Sequence, residues 1–181
     1  MEHYSGIIDR YYPEGTRRRD IYLRHCRAVA DLALEIAARK HLPLDPATVE
    51  EAAMLHDIGI VLTDAPGIDC HGHEPYIMHG VLGAQLLRQA GMSETSARVA
   101  ESHTGAGISQ ADIEAQDLPL PPGDYMPRTQ LERLVCYADK FYSKSGDMKR
   151  KPFDKVLRSM ERISPDTLER FMQLHREFGA D

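Results

Sequence analysis

Side chains that bind transition metals recur along this chain of 181 residues in an order that packing alone does not explain. His56 and Asp57 are adjacent, and they come directly after an apolar helical run that ends at Leu55. Imidazole nitrogens and carboxylate oxygens suit zinc, iron, manganese, cobalt and nickel. We therefore expect a site for one divalent transition metal ion, or more readily two. The other candidate ligands lie on both sides of the pair: His25, His79, His103 and Asp139.

Three of these candidates are predicted to point into the core from helices. His25 lies one turn before Val29 on the apolar stripe of a long helical pattern, and His56 and Asp139 lie on the apolar faces of two later patterns. A single inward histidine is usually a core residue with a hydrogen-bond partner, and a single buried aspartate usually pairs or caps a helix. Three of them on three apolar faces, with Asp57 beside one, favour a shared metal site.

The order of these residues along the chain resembles the HD superfamily of metal-dependent phosphohydrolases in its HDIG form. The resemblance covers about residues 20–145, and it implies an all-α helical bundle with the metal site in its core. It implies that one ion is held by His25, His56, Asp57 and Asp139. It also implies that Asp57 bridges to a second ion completed by His79 and His103, and that these three residues are catalytic. A hydroxide between the ions would attack phosphorus in line. Alternatively, His79 and His103 only contact phosphate.

One position departs from the family pattern. Many HD proteins carry a lysine after the glycine of HDIG, whereas this chain has Ile60. The metal ligands are unaffected, but a cation that could hold phosphate is lost. Lys140, which follows the last ligand, is the predicted substrate-binding replacement, and Arg24 and His73 are the other predicted substrate-binding residues. Lys144 lies one turn after Lys140 and is a further candidate, and a solvated surface position is the alternative for each of these cations.

The remaining pattern predicts helices along almost the whole chain. Helix starts are marked by Asp45 before a proline, by Ser93, and by the capping-box sequence Thr129 to Glu132. Gly59 is expected to end its helix in a left-handed conformation, and Gly91 is expected to stop a later one. No alternating strand of useful length is present, so the expected fold class is all-α.

Two segments rich in proline and glycine, residues 63–78 and 118–127, separate ligand-bearing helices and are expected to form the rim of a pocket. The length predicts one domain over residues 1–181, with C-terminal helices over residues 152–178 packed on the motif-bearing part. Within the first loop, the sequence Cys70-His71-Gly72-His73 resembles half of a zinc cluster, but it lacks a second half with matching spacing.

Composition limits the class of partner. The formal net charge of −6 argues against a long nucleic acid, which needs a broad basic face, but it allows a small phosphate ester. Three cysteines form no disulfide framework and suit a reducing cytosol. No signal peptide and no membrane-spanning apolar run is recognised, so a cytoplasmic location is expected. A homodimer is left open.

These features predict a metal-dependent phosphohydrolase that acts on a nucleotide or another small phosphate ester, as a phosphomonoesterase or phosphodiesterase. One alternative is a non-catalytic sensor domain that binds a metal and a nucleotide. The complete ligand set argues against it, because a sensor has less need of an activated water. The other alternative is a helical scaffold without metal.

Overall fold

The computed structural model describes residues 4–146 and 148–180, and the regular secondary structure of this part of the chain is mostly helix. Short 3₁₀ turns and a hairpin of two-residue strands, β1 (Asp64–Ala65) and β2 (Cys70–His71), join the helices. The all-α fold class is thus confirmed. The helices are α1 (Ser5–Tyr11), α2 (Arg17–Arg39), α3 (Pro46–Leu55), α4 (His79–Gln89), α5 (Glu94–Ser102), α6 (Gln110–Gln116), α7 (Gln130–Asp139), α8 (Phe153–Glu161) and α9 (Pro165–Phe178).

Most of these helices begin where a short polar side chain accepts the N–H group three residues later. Such a cap contributes about 1 kcal/mol, because it satisfies a backbone donor that the first helical turn leaves unpaired. Asp45, Ser93 and Thr129 act in this way, as predicted. The second half of the predicted capping box differs, because Glu132 accepts the N–H of Arg128 rather than that of Thr129. The same cap type starts α2, α6 and α9, at Thr16, Ser109 and Ser164.

The core lies where α2, α3, α5 and α7 pack together, and α4 covers α5 on one side. The apolar faces predicted from helical periodicity are buried there, including Val29, Leu134 and Val135. The C-terminal helices α8 and α9 pack on each other, and α9 packs on α7 through stacking of Tyr137 on Phe171. This packing brings the ends of α3, α5 and α7 and the start of α4 to one place in the interior.

Gly59 serves close packing, and the prediction of a left-handed helix end was wrong. It lies in a 3₁₀ turn, Ile58–Leu62, and its φ is not positive. A Cβ atom at this position would overlap the backbone oxygen of His79 and the backbone nitrogen of Gly83. Glycine therefore lets the turn after α3 lie directly against the start of α4. By contrast, Gly91 has a φ of +72° and ends α4 as predicted.

The two proline- and glycine-rich loops lie in different places. The first contains the β1–β2 hairpin, and Ile68 and Cys70 line a cavity with His25 and Asp57, as expected of a rim. The second loop does not line that cavity. Its Tyr125 instead exchanges backbone hydrogen bonds with Ile108, and the loop packs on a separate apolar cluster formed by Val81, Ile108, Ile113 and Leu120. Residues of this loop line other clefts, through Leu118, Tyr125 and Met126, and not the cavity beside the ligands.

Two helices were not predicted from the sequence, α1 and α6. Each has seven residues, which is about two helical turns and too few for a repeat of apolar residues to be recognised in the sequence. None of the helices in the described part of the chain combines the length and the apolarity that crossing a bilayer requires.

Candidate metal centre

All six predicted ligands are buried and meet in the core, and five of them lie at the ends of helices or turns. Backbone groups at helix ends lack a partner within the helix, so a side chain there can turn away from the regular helical surface. The ligands are His25 within α2, His56 after α3, Asp57 before the 3₁₀ turn, His79 at the start of α4, His103 after α5, and Asp139 at the end of α7.

The first group of ligand atoms comes from His25, His56, Asp57 and Asp139. Asp57 Oδ2 lies 3.1 Å from His25 Nε2 and 3.2 Å from His56 Nε2. Asp139 Oδ1 lies 3.0 Å from His25 Nε2 and 3.5 Å from His56 Nε2. Two ligands that are each about 2.1 Å from one ion lie about 3.0–3.4 Å apart at octahedral to tetrahedral angles. The spacing of these atoms therefore fits one ion.

The second group uses the other oxygen of Asp57. Asp57 Oδ1 lies 3.2 Å from His103 Nε2 and 3.6 Å from His79 Nε2. The two imidazole nitrogens, His79 Nε2 and His103 Nε2, are 3.1 Å apart. Because each oxygen of Asp57 faces a different group, this carboxylate has the position of a ligand shared by two ions.

Backbone hydrogen bonds fix the orientation of three of the imidazole rings. The Nδ1 atoms of His56, His79 and His103 lie 2.6, 2.6 and 2.8 Å from the carbonyl oxygen three residues earlier. A carbonyl oxygen can only accept, so Nδ1 carries the proton, and Nε2 of the neutral ring presents a lone pair to the centre. The contact between His79 Nε2 and His103 Nε2 then brings two lone pairs together, an arrangement that a cation between them would relieve.

Several buried atoms of the centre lack a hydrogen-bond partner among the described residues. They include Nε2 of His25, Nε2 of His56 and both oxygens of Asp57, although Asp57 Oδ2 is ion-paired with Lys144 Nζ at 2.8 Å. A buried polar atom without a hydrogen-bond partner costs about 1–3 kcal/mol. Metal ions would satisfy all of these atoms at once. The donor set therefore fits divalent ions held by nitrogen and oxygen.

The electrostatic environment favours the ligand forms of Asp57, Asp139 and His79. By contrast, despite burial, Asp57 raises the pKa of His56 well above its usual value, so a bound ion would displace a proton there. Burial opposes ionisation of Asp57, but the neighbouring ammonium of Lys144 and the imidazole of His56 outweigh it and hold the pKa of Asp57 well below its usual value. Asp139 has a similarly depressed pKa, against burial, because of Lys140 and Lys144. Burial, and then the proximity of His103, lowers the pKa of His79 to about 3. Ionised carboxylates and a neutral imidazole are the forms that bind metals.

The predicted substrate-binding residues lie in three different environments. Lys140 is buried, and its ammonium donates to Asp139 Oδ2 at 2.7 Å and to the backbone oxygen of His103 at 2.9 Å. Arg24 is exposed and lines an outer cleft of about 350 Å³. His73 is exposed in the segment after β2. The structure thus brings Lys140 to two ligand-bearing residues, Arg24 to the cleft, and His73 to the hairpin side of the site.

Sequence reasoning ranked Lys144 below Lys140 as a substrate-binding candidate, and it did not single out Tyr76. Lys144 is the cation nearest to Asp57, but spacing alone did not distinguish it from Lys140. Tyr76 places its ring 4.7 Å from that of His79 and is 41% exposed. Its only sequence signal is its position three residues before a candidate ligand.

The half zinc cluster of the first loop does not form a metal-binding group among the described residues. Cys70 is a buried free thiol whose pKa is raised to about 11 by burial, while His71 and His73 are exposed. A buried thiol with a raised pKa is a poor ligand, because the thiolate is the form that binds metal.

Comparison with known proteins places the centre in a family. The HD domain family model matches residues 22–143. An uncharacterised protein of Methanocaldococcus jannaschii is 38% identical over 143 residues, which cover 77% of this chain and 75% of that protein. The tRNA (cytidine(56)-2'-O)-methyltransferase of Thermoplasma volcanium is 33% identical over 172 residues. That match covers 95% of this chain but only 45% of the methyltransferase.

Solved structures show the same fold. The HD domain of the L. monocytogenes phosphodiesterase PgpH is similar with a TM-score of 0.55 and 15% identity, covering 95% of this chain and 94% of that chain. The same domain in complex with cyclic-di-AMP has a TM-score of 0.55 and 14% identity, covering 98% of both chains. The family match includes every ligand from His25 to Asp139. The chain therefore belongs to the HD domain family, as the order of its ligands predicted.

Proposed function

We propose that this HD domain protein is a metal-dependent phosphohydrolase that cleaves a nucleotide or another small phosphate ester. The observation that carries the proposal is the pair of buried ligand groups that share Asp57 through its two oxygens. When bound, divalent ions would supply Lewis acidity toward a phosphate group and would activate a water molecule. Iron, manganese, zinc, cobalt and nickel all suit these donors.

The side chains of the protein would position the ions and exclude bulk water. His25, His56 and Asp139 would hold the first ion, His79 and His103 the second, and Asp57 both. The hydrogen bonds at Nδ1 fix three of the rings, so little reorganisation is needed when ions bind. Burial of all six ligands lowers the local dielectric constant, which strengthens the interaction of the site with an anionic substrate.

The outer cleft supports a small anionic substrate. Its lining includes Arg17, Arg24 and Lys144, with Asp20 as the acidic member, so it is cationic although the whole chain is acidic. A volume of about 350 Å³ is at the lower end of the range for small-molecule pockets. The cyclic-di-AMP bound to the related PgpH domain adds support for a nucleotide. The cytoplasmic location and a homodimer stay predictions.

A substrate screen tests the proposal. Purified protein would be analysed for metal, loaded in turn with manganese, iron, cobalt, nickel and zinc, and assayed with nucleoside monophosphates, dinucleoside polyphosphates and cyclic dinucleotides. We expect hydrolysis that depends on metal and is abolished in Asp57→Ala. Asp31→Ala is the matched control, because Asp31 is an exposed aspartate on α2.

The non-catalytic sensor makes the opposite prediction. A sensor would bind metal and nucleotide with the same ligands but would hydrolyse no substrate with any of the five metals. The metal-free scaffold would contain no stoichiometric metal after purification, and Asp57→Ala would leave its properties unchanged. Either result would overturn the proposal.

A further inference from the structure

The segment after α7 places Lys144 between the outer cleft and the metal ligands. Lys144 lines the outer cleft together with Arg17 and Arg24. It also lines the deeper cavity that contains His25 and Asp57. Among the described residues, Lys144 is therefore the cation that lines both the outer cleft and the cavity beside the ligands.

The ammonium of Lys144 contacts the ligand that the two groups share. Lys144 Nζ lies 2.8 Å from Asp57 Oδ2, and its side chain is 18% exposed. A second polar neighbour is the hydroxyl of Tyr76, on the rim above His79. The ion pair with Asp57 places an ammonium group beside the shared ligand.

Geometry distinguishes Lys144 from Lys140. The ammonium of Lys140 donates to Asp139 Oδ2 and to the backbone oxygen of His103, so it holds two ligand-bearing residues in place. An ammonium has three N–H donors, so Lys144 can keep its contact with Asp57 and still donate to a phosphate oxygen. Lys144 is also the one of the two that lines the outer cleft.

The position after the HDIG glycine is apolar in this chain and faces the same cavity. Ile60 is 3% exposed and lines the cavity that Lys144 enters. A lysine at position 60 and a lysine at position 144 would thus approach one space from two different segments. This shared cavity makes it possible to test whether charge in the cavity, rather than the identity of position 144, is what matters.

We propose that Lys144 binds the phosphate group of the substrate next to the metal ions, and that it supplies from the segment after α7 the charge that is lacking at Ile60. The inference rests on the proposed function for the identity of the ligand as a phosphate ester. The ligand class is a phosphate monoester or diester, whose anionic oxygens accept a charge-assisted hydrogen bond from the ammonium.

The test measures phosphate binding separately from turnover. Inorganic phosphate would be titrated into the metal-loaded protein by calorimetry, for wild type, Lys144→Gln, Lys144→Arg and the control Lys155→Gln. Lys155 is exposed on α8, so its replacement removes the same charge away from the site. We expect the Kd for phosphate to rise about tenfold or more in Lys144→Gln, to recover partly in Lys144→Arg, and to stay unchanged in the control.

Metal content and kinetics complete the design. Lys144→Gln should retain the metal content of wild type and should raise KM more than it lowers kcat. The double variant Ile60→Lys/Lys144→Gln should regain phosphate affinity if it folds, which circular dichroism would check. An unchanged Kd for phosphate in Lys144→Gln would overturn the inference, whether or not this variant also loses metal. Phosphate binding that depends on Lys144, without turnover of any substrate, would instead refute only the proposed function.

Discussion

Replacement of Asp57 by asparagine should abolish the second metal ion and weaken the first. Asp57 directs Oδ2 toward His25 and His56, and Oδ1 toward His79 and His103. Asparagine has the same shape, but it offers a single carbonyl oxygen and no charge, so it can serve only one of the two groups. The variant therefore separates the bridging role of the side chain from its volume.

The magnitude follows from the number of contacts that are lost. Changing a residue that only orients a ligand typically costs 10- to 100-fold in metal affinity, so losing a charged ligand should cost at least about 100-fold. At about 1.4 kcal/mol per tenfold, this is about 3 kcal/mol for each ion that Asp57 contacts. Metal at 100 times its Kd stabilises the folded wild type by about 2.7 kcal/mol. For a chain of this size, that corresponds to a rise in Tm of about 5–11 °C.

The assay is thermal unfolding with and without added manganese or zinc, combined with elemental analysis after dialysis. Added metal should raise the Tm of wild type by most of the expected rise of about 5–11 °C and should raise the Tm of Asp57→Asn by little. Metal-free Asp57→Asn should unfold more easily than metal-free wild type, because Lys144 loses the carboxylate that it pairs with inside the protein, so the rise in Tm on adding metal is compared within each protein. Asp31→Asn, on the exposed face of α2, should behave as wild type. An Asp57→Asn protein that binds two ions with wild-type stabilisation would refute the bridging geometry.

Three further predictions test other parts of the centre. Replacing His79 and His103 together by alanine should leave one ion per chain and remove most of the hydrolytic rate. If anomalous scattering from wild-type crystals shows a single ion that contacts neither histidine, the two histidines are phosphate contacts instead. Lys140→Ala should lower metal affinity more than it raises KM, because the ammonium of Lys140 donates to Asp139 and to the His103 carbonyl. Intact metal content with a tenfold higher KM would instead show that Lys140 contacts the substrate. Gly59→Ala should destabilise the fold by about 2 kcal/mol or more through overlap with α4, whereas Gly6→Ala, which meets no atom within 4 Å, should not destabilise it in chemical denaturation.

The clustering of the candidate ligands could be predicted because its signals are local. Residue type identified the candidates, and helical periodicity placed His25, His56 and Asp139 on apolar faces that are buried in the structure. Helix starts were equally accessible, since an N-cap needs only a short polar side chain and the three residues after it. Asp45 and Ser93 cap their helices as expected.

The features that could not be predicted depend on contacts between distant segments. A glycine after a helical run is needed either for a positive φ or for close packing of another segment. Gly59 is needed for close packing, and only the position of α4 shows this. Lys140 and Lys144 would share a face if the helix continued, but α7 ends at Asp139, so helical phase does not apply beyond it. The second proline-rich loop is held by its bridge to Ile108, which no local pattern indicates.

The orientation of the histidines lies between these two cases. His56, His79 and His103 each place Nδ1 against the carbonyl oxygen three residues earlier, a partner that the local backbone provides at a helix end or in a turn. The bond sets the ring direction and places a proton on Nδ1, so Nε2 of each ring is turned toward the centre. For a candidate histidine at a predicted helix end, a partner for Nδ1 three residues earlier can therefore be expected from the sequence. His25, the ligand in the middle of a helix, has no such partner among the described residues, so its direction depends on the packing of α2 against α3 and α7.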